Sequence, residues 1–251
     1  EAHNIEKVAR DYFSYEVSKY AFTKAMNNIY RVSRGSSKKL GSLQILKNFL
    51  KNSIKNDKLL KEYTKRIDEE LILKHNLLYE RTMDYFVKLM DIYCSEGVNA
   101  NIRLRPEQLA KNFKWQKELK PRQEEFFSAY ISYIKELRKI AKEAKDYEDE
   151  AGLIREFEKY VDRLDGFFLN FRFILDFSDD NFIFWLSANP KKNNIKLVAT
   201  PLKIHNELDE VLYANLDHLI FTSATIAIND DFDYFKKSIG LTEQTYEKAI
   251  H

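Results

Sequence analysis

Residues 71–94 read LILKHNLLYERTMDYFVKLMDIYC, and within them Leu71, Leu78, Tyr85 and Ile92 recur every seven residues. A repeat of that length keeps one stripe of a helix turned toward a neighbouring helix, so the stretch predicts a long helix, from about Asp57 to Cys94, packed along a seam. The flanking sequence has the same grammar. Upstream, Leu43, Leu46, Leu50 and Ile54 recur at three- and four-residue steps while Lys47, Lys51, Lys55 and Lys58 do so on an adjoining face, which predicts an amphipathic helix with a basic side. Downstream, Phe127, Tyr130, Ile131, Ile134, Leu137, Ala141 and Ala144 mark another helix, and Leu153, Phe157, Tyr160, Val161 and Leu164 a further one. Residues 5–30 are expected to be helical for most of their length, and Pro106 and Pro121 to lie in a loop. Together these segments predict a mostly α protein built on an antiparallel helical bundle.

Composition agrees. Only 6 Gly and 4 Pro interrupt 251 residues, which favours long helices over a many-turned sandwich or barrel. Hydrophobic residues at 44% supply a sizeable core, while 32% charged residues give a polar exterior, and the mean hydropathy is -0.51. The single Cys94 excludes an internal disulfide and a cysteine metal cluster, so no metal site is expected within the chain and a reducing, cytoplasmic setting is. Cys94 follows Leu89, Met90 and Tyr93 and reads as a structural thiol. No apolar run approaches the roughly 18 residues of a membrane span, and the first residues lack the pattern of a signal peptide.

The net charge of +2 conceals a segregation. From Arg31 to Arg66 stand eleven Lys or Arg against Asp57 and Glu62; from Ile204 to Phe235 there are seven acidic residues and no Lys or Arg. One end is basic, the other acidic. The grammar changes after Ser178: Phe182, Phe184 and Leu186 alternate, Asn189-Pro190 turns, and Ile195–Thr200 follows, which predicts a β-hairpin. Leu208–Tyr213 is a short helix candidate, and His218-Leu219-Ile220-Phe221 reads as a buried parallel strand.

Two short motifs bracket the helical block. Glu1-Ala2-His3-Asn4-Ile5 matches the tail of a DEAH box, and Thr222-Ser223-Ala224-Thr225-Ile226 follows an apolar run as helicase motif III does. Their order and wide separation, with helices between, resemble the ATP-dependent DNA helicases of the DinG and XPD type, whose first motor domain carries an inserted helical arch. The resemblance extends to Leu197–Leu202, to Leu208–Leu212 and to Phe232–Leu241. It implies an α/β RecA-like motor domain into which the arch is inserted. Residues 1–30 would then exit that domain, 31–170 form the arch, 171–228 return with the hairpin and motif III strand, and 229–251 begin the second motor domain. The chain would be an internal piece of a longer enzyme.

The resemblance also implies roles. Glu1 would orient or deprotonate the water that attacks the γ-phosphate of Mg²⁺-bound ATP, and His3 would reach Ser223 or Thr225, coupling nucleotide state to the DNA side; Ala224 completes the motif. No GxxxxGK[ST] phosphate loop occurs, so this piece alone is expected not to hydrolyse ATP. Many members carry an iron-sulfur cluster on cysteines upstream of this region. Single-stranded or forked DNA is the implied partner, in repair or replication. For its contact the basic residues Lys47, Lys51, Lys55 and Lys58 are one candidate group, and Arg105, Lys111 and Lys114 with Phe113 and Trp115 as stacking rings are another. The alternative from a different class is a helical nucleic-acid-binding or protein-interaction scaffold without a motor.

Overall fold

The computed structural model describes residues 2–31, 40–94, 98–147, 152–204, 207–208, 211–221 and 231–241, with the backbone alone at 2–5 and 238. Along the chain it forms α1 (Ala2–Tyr12), β1 (Tyr15–Ser18), α2 (Lys19–Ile29), α3 (Ser42–Ser53) and α4 (Asp57–Lys65). A π-turn (Arg66–Leu71) leads into α5 (Ile72–Tyr93), followed by β2 (Ala100–Leu104) and α6 (Pro106–Leu109). A second π-turn (Trp115–Leu119) leads into α7 (Lys120–Ala144), then α8 (Leu153–Asp176), β3 (Phe182–Asn189), β4 (Asn194–Pro201) and α9 (Asp233–Ile239).

The seven-residue seam is the spine of the molecule. Leu71, Leu78 and Tyr85 are fully buried and Ile92 is half-buried, because α5 lays this stripe against α7. Ion pairs fix the direction: Arg66 meets Glu143 (2.6 Å), Arg81 meets Glu125 (2.9 Å), Asp84 meets Arg122 (2.7 Å) and Lys88 meets Glu118. Numbers rise on one helix as they fall on the other, so the pair is antiparallel. Lys145 with Glu158 (2.6 Å) and Arg138 with Asp165 show the same for α7 and α8. Such part-exposed pairs add little stability each; the energy lies in the rings between the helices. Phe171 of α8 stacks on Phe126 of α7 at 4.9 Å and on Phe86 of α5 at 5.4 Å between centroids.

A four-stranded antiparallel sheet, in the order β1-β4-β3-β2, covers one side. The hairpin expected at Phe182–Thr200 forms its centre, turning at Pro190–Lys192 with Asn193 in the left-handed region (φ 47), which Asn tolerates. Phe184, Leu186 and Ala188 of β3 pair with Ala199, Leu197 and Ile195 of β4; all are buried on one face. The edges were not expected. Tyr15–Ser18 interrupts the anticipated N-terminal helix: it pairs antiparallel with β4, burying Val17 and Ser18 while Glu16 meets Lys196 (2.8 Å). Ala100–Leu104 is strand where a loop was expected; Pro106 sits in the first turn of α6, where a missing N–H costs nothing, and Pro121 lies at the start of α7, directly after the second π-turn. The chain is thus mostly helical with a small antiparallel sheet.

The parallel strand expected at 218–221 is absent. These residues form no ladder, and Leu219 and Ile220 are 39% and 85% exposed, since no strand among the described residues runs beside them. The Leu212 N–H donates to Leu208 O at 2.9 Å.

Gly41 sets how α3 meets α2. A Cβ there would stand 2.5 Å from Ile29 O and 2.8 Å from Tyr30 Cα, both backbone. Gly41→Ala is therefore expected to cost about 1–3 kcal/mol by overpacking alone, read as a lower thermal midpoint; an unchanged midpoint would mean that the junction yields freely.

Candidate nucleic-acid interface

The lysine arm is not one helical face. Asn56 accepts from the Lys58 and Leu59 N–H groups and starts a new helix, so Lys47 and Lys51 belong to α3, Lys55 to the connection and Lys58 to α4. Lys51, Lys55 and Lys58 are exposed. Lys47 is committed elsewhere: its ammonium lies 2.5 and 2.6 Å from the two carboxylate oxygens of Asp68, tying α3 to the first π-turn.

The second group is altered further. Trp115 is 5% exposed, with its ring 6.3 Å from that of Phe177, so it serves the core and cannot stack on a base. The apolar spacing Trp115, Leu119 already places it on the inward face of the second π-turn. Phe113, 72% exposed, is the ring left open. Lys111 and Lys114 are exposed, but Glu118 lies among them; a hydrogen bond from Lys88, then the charges of Lys88, Lys114 and Arg122, hold its carboxyl below the usual range. Arg105 shares a cavity of about 360 Å³ with Asp179 and Asp180. Positive charge is therefore offset locally. The two groups are also far apart. Lys47 meets the chain at Asp68 and Glu118 meets it at Lys88, and the helix between them is about 30 Å long at 1.5 Å per residue.

A third surface was missed by sequence reading. α2 buries Phe22, Met26 and Ile29, which leaves Tyr20, Thr23, Lys24, Asn27 and Asn28, with Arg31 just beyond, on the opposite face. They line a groove of about 470 Å³ with Leu40, Ser42 and Ile45 at the start of α3 and Glu156 and Tyr160 of α8. The three- and four-residue spacing of the polar stripe was visible, but a polar helix face by itself reads as solvated. Lys145 to Glu158 and Arg66 to Glu143 place this groove and the α3–α4 lysines at one end of the bundle.

Glu1, Ser223, Ala224 and Thr225 lie outside the described residues, and of His3 only its backbone place in α1 is described. The segments beside them do adjoin. α1 packs against α9; Ala9 is buried with Ile204 and Leu208, flanked by Phe13 and Tyr213; and the Tyr213 hydroxyl donates to Ile239 O at 2.7 Å. Among the described residues, no group of three His, Cys, Asp or Glu is placed to hold a metal ion, and no helix is long and apolar enough to cross a membrane. Burial pushes the half-buried Cys94 thiol up, away from the thiolate a nucleophile needs. Comparison with protein-family models and with curated proteins gives no match.

Proposed function

We propose that the chain is the arch-bearing segment of an ATP-dependent helicase of the DinG and XPD type, which tracks along single-stranded DNA and unwinds forked duplexes. One observation carries the reading. The bundle of α3 to α8 departs from and returns to one region, where α1 lies against α9 and against Ile204, Leu208 and Tyr213, as an inserted arch must. The motif order of Glu1-Ala2-His3 and Ser223-Ala224-Thr225 flanks that block. Apolar surface supports the same reading: Val8, Tyr12, Val211 and Leu212, between 39% and 75% exposed, line a groove of about 530 Å³ that the rest of a first motor domain would cover.

On this reading Glu1 activates water at the γ-phosphate in the intact protein, and His3 with Ser223 and Thr225 passes nucleotide state to the strand. ATP and Mg²⁺ would be held with residues beyond those described, because the chain has no phosphate loop. Glu1→Gln in the intact protein is the test. An amide cannot take the proton, so DNA-stimulated ATP turnover is expected to fall about a hundredfold with nucleotide affinity unchanged. Turnover near the parent's would sink the assignment.

A further inference from the structure

The sheet has two faces, and the bundle takes only one. Phe184, Leu186, Leu197 and Ala199 join the core, whereas Ile183, Trp185 and Ser187 alternate with them and are half-buried on the other side. Register fills that outer face. Arg103 of β2, Trp185 of β3, Val198 of β4 and Glu16 of β1 stand opposite one another in one row. Asn101, Ser187 and Lys196 do so in the next. Trp185 is thus on a central strand yet outside the core cluster.

Its ring is also fixed. The indole N–H donates to Thr200 Oγ1 (3.3 Å), which lies 3.2 Å from Ser14 Oγ, so the ring is held along β4 rather than turned inward. Val198, which it faces across the ladder, is 4% exposed. Among the described residues, no other aromatic ring or cation stacks on Trp185. A ring already held on a sheet needs no reordering to take a base, and four-stranded sheets that read single strands present their aromatics on such a face.

Charge selects the partner. Residues 182–203 carry Lys191, Lys192, Lys196 and Lys203 and no Asp or Glu. Lys191 and Lys192 are exposed at the turn, where Lys19 adds a third ammonium 2.6 Å from Asn193 Oδ1. Lys196 is occupied with Glu16 (2.8 Å), the one acid of the two rows. Arg103 is exposed, and among the described residues its side chain and those of Asn101 and Ser187 form no hydrogen bond or ion pair. A free guanidinium therefore starts one strand, about 5 Å, from a fixed indole. Cations along a path beside an open ring match the backbone and bases of a single strand, whereas an acidic peptide would use the cations and not the ring.

We infer that the outer face of the sheet binds a single strand of nucleic acid, with a base on Trp185, phosphates at Arg103 and at the Lys191–Lys192 turn, and Asn101 and Ser187 beside the base edges. The surface follows from the register of the sheet; the choice of DNA over RNA rests on the helicase reading above. Asp179 and Asp180, which line one cavity with Arg103, are the opposing charge.

The test is a titration of the 251-residue chain with oligothymidylate, read by tryptophan emission and by anisotropy of a labelled strand. Of the two tryptophans Trp115 is only 5% exposed, so quenching reports Trp185. Saturable quenching is expected at the affinity that anisotropy gives. Trp185→Phe keeps a ring and should bind within about threefold of the parent without the quenching, whereas Trp185→Ala should lose about tenfold, the size of one stacked base. Arg103→Ala with Lys191→Ala and Lys192→Ala changes only exposed groups, so it should leave the thermal midpoint level and flatten the slope of log affinity against log salt by about two. Asp180→Asn should tighten binding. Strand binding without quenching, quenching that survives Trp185→Phe, or a salt slope unchanged in the triple variant overturns the sheet face. If binding is lost instead on reversing Lys51, Lys55 and Lys58 to Glu, the sheet face falls and the helicase reading stands. No strand binding by the parent chain also overturns the proposal, and tighter binding of oligouridylate overturns the choice of DNA. Failure of the helicase reading is seen separately, in the turnover of Glu1→Gln.

Discussion

Phe171→Ala is expected to destabilise the chain by about 4 kcal/mol, the range for emptying a large buried aromatic site. Phe171 is fully buried where α5, α7 and α8 meet, and its ring contacts those of Tyr85, Phe86, Phe126 and Phe168 at 4.9 to 6.4 Å between centroids. Two terms add. The lost ring forfeits its transfer free energy, and a cavity remains because its neighbours are held by three separate helices and cannot close in. The aromatic pairs contribute about 0.5–1.5 kcal/mol beyond area burial. Urea unfolding should show a lower midpoint at an unchanged slope. A loss below about 1.5 kcal/mol would mean that the helices collapse onto the gap, and that the cluster is less rigid than its geometry.

Acid should weaken the fold through one histidine. His75 on α5 is buried, with Nδ1 3.1 Å from the Tyr133 hydroxyl and the Tyr30 ring at 5.2 Å, and burial lowers its pKa from 6.5 to about 4. The unfolded chain takes up this proton below about pH 6.5, whereas the native ring stays neutral until about pH 4. Stability from this site is therefore whole above pH 6.5, falls as pH drops through the window and levels off near 4, a total of about 3 kcal/mol. Carboxylates titrate at the lower end too, so the measurement is a difference: unfolding free energies at pH 7.5 and 4.5 for the parent and for His75→Asn. The parent should lose more. Equal losses would show that the ring is hydrated and charges in place.

The α5 seam was legible because a heptad of large apolar residues needs nothing outside its own segment to declare itself. The hairpin was legible for the same reason: Asn189-Pro190 and the alternation on either side are local signals. β1 and β2 were not, since four and five residues carry little pattern and their partners, around Ala199 and Trp185, stand far off in sequence. Leu219 to Phe221 shows the converse: an apolar run reads as a buried strand, but burial depends on neighbours that no run encodes. In the lysine arm, charge was readable and geometry was not, because Asn56 divides the face and Asp68 claims Lys47. Trp115 reads in sequence as a stacking ring, but its helix phase beside Leu119 puts it in the core. The groove was hidden because its stripe lies on α2 while Ser42 and Tyr160 come from α3 and α8.

The sheet order has a consequence for biosynthesis. Ser14, beside β1, hydrogen-bonds Thr200 of β4 across 186 residues of chain. At about 5–20 residues per second, a ribosome needs roughly ten to forty seconds to supply that partner after β1 emerges. During that time the helices can assemble by local contacts, while the backbone donors and acceptors of β1 and β2 remain open to any passing strand. The β3–β4 hairpin, made last and closed by a short turn, then captures both edges at once. Nascent chains stalled before residue 182 should thus be the aggregation-prone species, and those released after residue 201 should not.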